Sequence, residues 1–465
     1  MKKLLPLSLL LFCLSGCFFQ PVEELYHLPM QSVEYQQLIQ EIELLRSALN
    51  SSNPGVEYAN ILSGDNTSTI QLQNLTDKDE VDTAITFLRA PSADDPLKIF
   101  ILSLDTQGNF VPHSVIEGQG TSILSVEFAQ LNGMGKKEIL VNWQNNQLSV
   151  YTLDDNPTPT IDPTSALLAQ IPLATELLST THNAYALTNM IHSDSMDLSV
   201  VRLDTAGLNS FIELYHWNEG AFVSHSIAAL SNNITSLSNL RVSYISGKIP
   251  ALYVSSNLMD NSRTTDIFII KNERLTNLTL DADTGISTET LRDYRDIGPT
   301  DINGDGILEI PDPVALPSYT EEDGAGTTPL PSTSFWLIDW TQFNSEGKSS
   351  LVFSTYHNIS DGWYLTIPSH WRDQITVTRD DSISGQRTVI FSLWNGSSAP
   401  PTPFLAIYKL TGPNRFTRAA LSDRFELGGD STTIYAATFY EDSWDCGLDQ
   451  QDILQSFNLI ISAWS

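Results

Sequence analysis

Asp301, Asn303 and Asp305 place oxygen-bearing side chains at alternate positions of the loop Asp301-Ile302-Asn303-Gly304-Asp305-Gly306-Ile307-Leu308-Glu309. Alternate side chains on a loop that curls on itself can converge on one hard cation. Gly304 and Gly306 permit the sharp turn. The Ile307 carbonyl and the Glu309 carboxylate would complete an all-oxygen shell. A shell of roughly six to eight oxygens suits calcium better than zinc or magnesium. No flanking helices are expected and no Glu stands at the twelfth position, so the loop is not an EF-hand. A metal-free turn that only holds the chain's shape is the other reading.

A second cluster joins aromatics to polar groups: Tyr356-His357-Asn358-Ile359-Ser360-Asp361-Gly362-Trp363-Tyr364, then His370-Trp371-Arg372-Asp373. Rings stack on the apolar faces of sugars while neighbouring polar groups bond hydroxyls. Tyr356, His357, Asp361, Trp363, Tyr364 and Trp371 are therefore candidate ligand-binding residues. Acid–base work by Asp361 or Asp373 is conceivable. The alternative is that the cluster seals a junction between two parts of the fold. Other signatures fail. Glu346-Gly347-Lys348-Ser349 lacks the upstream Gly of a phosphate-binding loop, since Gln342 stands there. Ser345-Glu346-Gly347-Lys348 fits S-x-x-K but has no companion motifs and no helix to align Ser with Lys. No catalytic residue is assigned.

The loop 301–309 is one of a series. Gln130 to Glu138 aligns with it without a gap, and weaker copies lie at 79–87, 193–201, 246–254 and 344–353. The positions equivalent to Glu309 are 82, 138, 197, 250, 309 and 350, separated by 56, 59, 53, 59 and 41 residues. Each motif runs into a strand, and a second strand follows, as in Leu148-Ser149-Val150-Tyr151-Thr152-Leu153. A unit of about 55 residues holds about four strands and fits a propeller blade. Only 301–309 keeps the full set: Gln130 and Met134 alter the copy at 130–138, Lys248 and Pro250 the copy at 246–250, and in 342–350 Gln342, Asn344 and Glu346 are present but Ser350 closes the loop. A single structural calcium loop is the expectation.

The Asp-rich, Gly-containing loop leading into a strand resembles the FG-GAP or VCBS-type repeat, and the chain resembles bacterial surface lipoproteins that carry it. The resemblance covers about 58–355 and implies a β-propeller, without an activity. The expected fold is mainly β, a propeller of about six degenerate blades, with an N-terminal helix and a small C-terminal α+β domain. The expected domains are 1–17 (signal peptide and lipobox), 18–57 (tether and amphipathic helix), 58–356 (propeller) and 357–465 (α+β domain). Leu38, Ile42, Leu45 and Leu49 share one face of a helix over 31–49, with Ser32 as its N-cap. Asp449 to Trp464 also has a helical rhythm. A final blade followed by a C-terminal helix is the competing reading of 357–465.

The N-terminus gives an address. Lys2 and Lys3 precede an apolar run, Leu4 to Leu14, that is too short to span a bilayer. It ends in Leu14-Ser15-Gly16-Cys17, which resembles a bacterial lipobox, in which Cys17 would be lipidated and become the new N-terminus. The chain of 465 residues has 24 Lys+Arg against 55 Asp+Glu, a formal charge of −31. That balance argues against nucleic-acid partners. The expected function is a membrane-anchored extracytoplasmic lipoprotein whose propeller binds a protein or glycan. The alternative is an envelope glycan- or peptide-acting hydrolase using carboxylates near the propeller axis or in 356–373. A sensor coupled through the last domain is a third reading.

Overall fold

The computed structural model describes residues 33–76, 80–154, 166–191, 194–293, 297–319, 335–397, 399–421, 423–440 and 444–460. Cys17 and Ser32 lie outside them. Six antiparallel sheets follow one another along the chain. The first holds Glu57–Tyr58, Thr83–Arg89, Leu97–Leu104 and Phe110–Gly118, with Ile70–Gln73 also paired to Thr83–Arg89. The second holds Ile123–Ala129, Glu138–Trp143, Gln147–Thr152 and Thr175–Thr181. The third holds Ala184–Thr188, Asp197–Arg202, Phe211–Asn218 and Ala221–Ala229. The fourth runs Ile234–Ile245, Ile249–Leu258, Ser262–Lys271 and Arg274–Asn277, with Arg292–Asp293 added beside Ser262–Lys271. The fifth runs Ile310–Ala315, Trp336–Phe343, Ser349–Asn358, Trp363–Ile367 and Phe457–Leu459. The sixth is ordered Ile375–Asp380, Gln386–Leu393, Thr402–Thr411, Thr433–Phe439 and Phe425–Gly429.

Six meander sheets of four or five strands are the blade count and blade form that the repeats predict. The chain divides into two compact units, Met1–Gln130 with Met134–Thr180, and Leu131–Gly133 with Thr181–Ser465.

In the first unit, period-two side chains fill both faces of the first sheet. Ile85, Phe87, Ile99 and Ile101 pack against Ile123, Ile139, Val141 and Trp143 of the second sheet. Their neighbours Ala84, Leu88, Phe100 and Leu102 point the other way, onto Leu38, Ile42, Leu45 and Leu49 of the helix Val33–Ser52. All four helix side chains are buried, as their spacing requires. The helix thus covers this face of the first sheet.

The second unit repeats the logic. Leu252, Val254 and Phe268 of the fourth sheet face Val201, Ile212 and Leu214 of the third. Tyr253, Ile267 and Ile269 face Ile310 and Phe343 of the fifth. Tyr356, Trp363 and Leu365 of the fifth meet Ile375, Val377, Phe391 and Leu405 of the sixth. Strands buried on both faces explain the continuous apolar runs, and stacking is what lets such thin units fold.

The repeat anchors do not map one to one on the sheets. Position 309 precedes the first strand of the fifth sheet and 350 lies in its third strand, while the sixth sheet carries no copy. The boundary at 356/357 falls inside Ser349–Asn358. Residues 357–465 supply two strands to the fifth sheet, the whole sixth sheet, and the short helices Arg415–Ala419 and Gln450–Ser456. Their strands form a further blade-like meander, and they share a compact unit with the sheets before them. Asp449 caps the last helix in a capping box with Asp452. The helical rhythm of 449–464 nevertheless stops at Ser456, because Phe457 leaves to pair with the strand Trp363–Ile367 and to enter the core.

Candidate functional site

Loop 301–309 closes through its own carboxylates. The Asp305 and Gly306 N–H groups donate to the two oxygens of Asp301, at 3.0 and 2.8 Å. Asp305 N–H also reaches Asn303 Oδ1 at 2.9 Å, and Ile307 N–H reaches Asp305 Oδ1 at 2.8 Å. Gly304 and Gly306 have φ of 75° and 81°, which side chains resist. Asp301 is half-buried, Asn303 and Asp305 are exposed, and Ile307 and Glu309 are buried. Glu309 Oε2 accepts from the Ile302 N–H at 3.0 Å.

Further partners come from outside the loop. The side-chain amide of Gln342 donates to Asp305 Oδ2 at 2.9 Å and to Glu309 Oε1 at 2.6 Å. Two carboxylates therefore converge on one electropositive nitrogen. The Lys248 ammonium donates to the Asp305 carbonyl. Burial works against the Asp305 charge, but the bonds from Gln342 and the Ile307 N–H hold its carboxyl below the usual range. Burial pushes Glu309 up; Gln342 and Ile302 oppose this, while the charges of Asp305 and Asp301 reinforce it. Of the oxygen set, only Asp305 and Glu309 gather on one positive pole; the Asp301 oxygens and Asn303 Oδ1 accept from the loop's own amides. The obstacle to a cation is that an amide holds that pole. Among the described residues, no group of three or more His, Cys, Asp and Glu is assembled as a metal site.

Glu309 belongs to a recurring device. Asp82 accepts from Leu75 and Thr76 N–H, both at 3.0 Å, and Asp197 accepts from Met190 and Ile191 N–H at 2.9 and 2.8 Å. Asp82 and Asp197 reach back seven and six residues, and Glu309 reaches back seven. In each case a carboxylate at the start of a strand holds the preceding turn, whose amides would otherwise lose water without a partner. Burial opposes the Asp82 charge, yet Thr76, Leu75 and Thr83 hold its carboxyl below normal. At 82, 197 and 309 the repeat anchor is thus a staple, and of these three copies 301–309 is the one that adds the run of oxygen side chains.

The aromatic cluster is core. Trp363 and Trp371 are 1% and 0% exposed, and Tyr356 and Tyr364 are buried. Tyr356 meets Trp363 and Phe391 with ring centroids 5.7 and 5.2 Å apart. The Trp371 indole N–H donates to the Cys446 carbonyl at 2.7 Å. His357 stacks on Tyr364, its Nδ1 lies 2.9 Å from Thr355 Oγ1, and burial pushes its imidazole down to about 3. Tyr356, Trp363 and Trp371 fill the space between the fifth and sixth sheets, whereas His357 and Tyr364 are cross-strand partners on the other face of the fifth sheet, with His357 beside Trp340. Cys446 is packed, and burial raises its thiol. Ser345 and Lys348 lie in the hairpin turn that Asn344 closes, with its N–H on the Lys348 carbonyl.

Asp361 is 1% exposed and surrounded by cations: Arg387 Nη1 at 2.7 Å, Arg379 Nη2 at 3.7 Å and Lys409 Nζ at 3.7 Å. Asn358 Nδ2 donates to it at 2.9 Å. With its oxygens so engaged, Asp361 has no geometry for proton transfer to a substrate. The sequence reading missed these cations and Gln342. The available signals were Gln342 at the head of the degenerate copy 342–350, and the density of Arg after residue 371.

No family model and no curated protein matches the chain. Among solved structures it is similar to the Dos1 propeller, at 9% identity and a TM-score of 0.28, over 82% of this chain and 81% of that one. It is also similar to Sqt1 from Chaetomium thermophilum, at 11% identity and a TM-score of 0.30, over 84% of this chain and all of that one. Both likenesses are too loose to carry an argument; the stacked sheets themselves define the fold.

Proposed function

We propose that the chain is a lipid-anchored binding module on the extracytoplasmic face of a bacterial membrane, its blades presenting turns to a protein or glycan partner. The observation that supports this is the division of labour along the strands. Central strands such as Thr83–Arg89 and Ile249–Leu258 are buried on both faces, which leaves the turns as accessible surface. Several are tight hairpin turns with Asn146, Asn261 and Asn272 at positive φ, rigid mounts for recognition.

Anchoring is tested by expressing the full chain and Cys17→Ala in a bacterial host with a clickable fatty acid. The expected result is labelled, membrane-bound wild type and unlabelled variant. Equal labelling of both would remove Cys17 as the lipid site. Partner binding is tested by cross-linking the anchored chain on cells, with proteinase-treated and glycan-stripped envelopes as parallel arms. Specific capture lost in one arm identifies the partner class, and no capture above a denatured control would count against a binding role.

Calcium is a second element of the reading, favoured by the convergence of Asp305 and Glu309 on one positive centre. Asp301, Asn303, Asp305, Glu309 and the Ile307 carbonyl would hold the ion, which would tie the loop to the fifth sheet as the Gln342 amide now does. Wild type should melt higher in calcium than in chelator, and Asp301→Ala/Asp305→Ala should lose that shift. A shift of equal size in the variant would place calcium elsewhere.

A further inference from the structure

The stretch 372–424 carries Arg372, Arg379, Arg387, Lys409, Arg415, Arg418 and Arg424 against Asp373, Asp380, Asp381 and Asp423. It is a positive island in a chain of formal charge −31. The sixth sheet concentrates part of that charge on one face. Arg387 stands directly opposite Lys409 across two neighbouring strands, and Arg379 pairs with Val389, two residues along on the same face. Like charges directly opposite each other destabilise a sheet. Here Asp361, reaching across from the fifth sheet, neutralises one of the three charges.

What Asp361 leaves over faces a cavity of about 510 Å³ whose lining includes Arg387, Lys409, Ser384 and Thr411, with the carboxylate of Asp381 also on its wall. Arg379 is drawn off by Asp381, 2.8 Å from its Nε. Arg387 is hydrogen-bonded only through Nη1 among the described residues, and its side chain is 50% exposed. Lys409 is within ion-pair range of Asp361 but makes no hydrogen bond to it among the described residues. A guanidinium edge and an ammonium therefore stand side by side with donors to offer, oriented from behind by a buried carboxylate. That is the arrangement that recognises a planar or tetrahedral oxyanion.

We propose that this cavity is a binding site for a small hydroxylated oxyanion, a sugar acid or sugar phosphate, with the negative group on Arg387 and Lys409. Its volume lies within the roughly 300–1,000 Å³ of small-ligand sites. Ser384 and Thr411 suit hydroxyl groups better than hydrocarbon. The pocket's charge does not depend on how the chain is anchored or what its turns bind.

The test is titration calorimetry of the full-length chain with glucuronate, glucose 6-phosphate, inorganic phosphate and uncharged glucose, at low and high salt. Expected are binding of at least one charged probe, weakening with salt, and no binding of glucose. Preference for glucuronate identifies a carboxylate ligand, and preference for the phosphates identifies a phosphate. Lys409→Gln should weaken binding at least about tenfold, about the factor that 1.4 kcal/mol represents, and Lys409→Arg should restore it. Both variants keep Arg387 on Asp361, and a melting curve checks that each is folded. Two results would overturn the proposal: no charged probe binding the wild type, or folded Lys409→Gln binding as the wild type does.

Discussion

Loop 301–309 and the stretch 356–373 each centre on a buried carboxylate, Glu309 in one and Asp361 in the other. Around Glu309 the donors are neutral, the Ile302 N–H and the Gln342 amide. Around Asp361 they are Arg387 and Asn358, with Arg379 and Lys409 in ion-pair range. Neutral donors close their site: carboxylate and amide satisfy each other, and burial of Glu309 raises its pKa. Cations do not close theirs: Asp381 takes up Arg379, and Arg387 and Lys409 against the one Asp361 carboxylate leave charge and N–H groups over. The loop whose sequence advertised a ligand is already internally bonded. The region whose aromatics advertised one has buried them, and offers cations from a neighbouring sheet.

The comparison breaks most sharply at Trp371. If the rings are core, Trp371→Ala opens a cavity between the fifth and sixth sheets and leaves the Cys446 carbonyl only its contact with His370 Nε2. It should cost about 3–5 kcal/mol, measured by urea unfolding. A loss under about 1 kcal/mol would mean that the ring is not packed as described. Asp361→Ala comes next, at about 2–3 kcal/mol. That is less than the roughly 3–5 kcal/mol of a fully buried pair, because water can partly take over the freed cations.

The sequence showed the blades and their count because stacking leaves a periodic trace: a turn, an acidic anchor, then an apolar strand. The four buried positions of the helix Val33–Ser52 were legible for the same reason. The anchors at 309 and 350 share one sheet, and the sixth sheet has no anchor, so counting motifs matched the number of sheets without mapping them. Pairings between distant strands leave no local trace. Arg387 meets Lys409 through a register set 22 residues apart, and Gln342 reaches Glu309 from 33 residues away. Tyr356, Trp363 and Trp371 left two readings open, ligand platform or sealed junction, because aromatics next to polar residues look alike whether they face water or the next sheet. Strand alternation alone does not say which face is covered when both are.

The smallest effect sharpens the comparison between the staples. Asp82 has a depressed pKa in the folded chain, so its contribution is present above the unfolded value of about 3.9 and is lost as pH falls through the folded one. Asp82→Asn should therefore cost about 1–2 kcal/mol at pH 7, with the gap to wild type narrowing as pH drops below about 4. Glu309 has a raised pKa, and the sign reverses. Its contribution is present below about 4.3 and is lost as pH rises through the folded value. Glu309→Gln keeps an acceptor for the Ile302 N–H and removes the charge, at the expense of turning Gln342. Relative to wild type it should gain stability between about pH 4 and pH 7. The two variants measured by thermal unfolding across that range should diverge in opposite directions. Parallel pH profiles would mean that Glu309 is solvated and charged like Asp82, and that the neutral closure of the fifth-sheet loop is wrong.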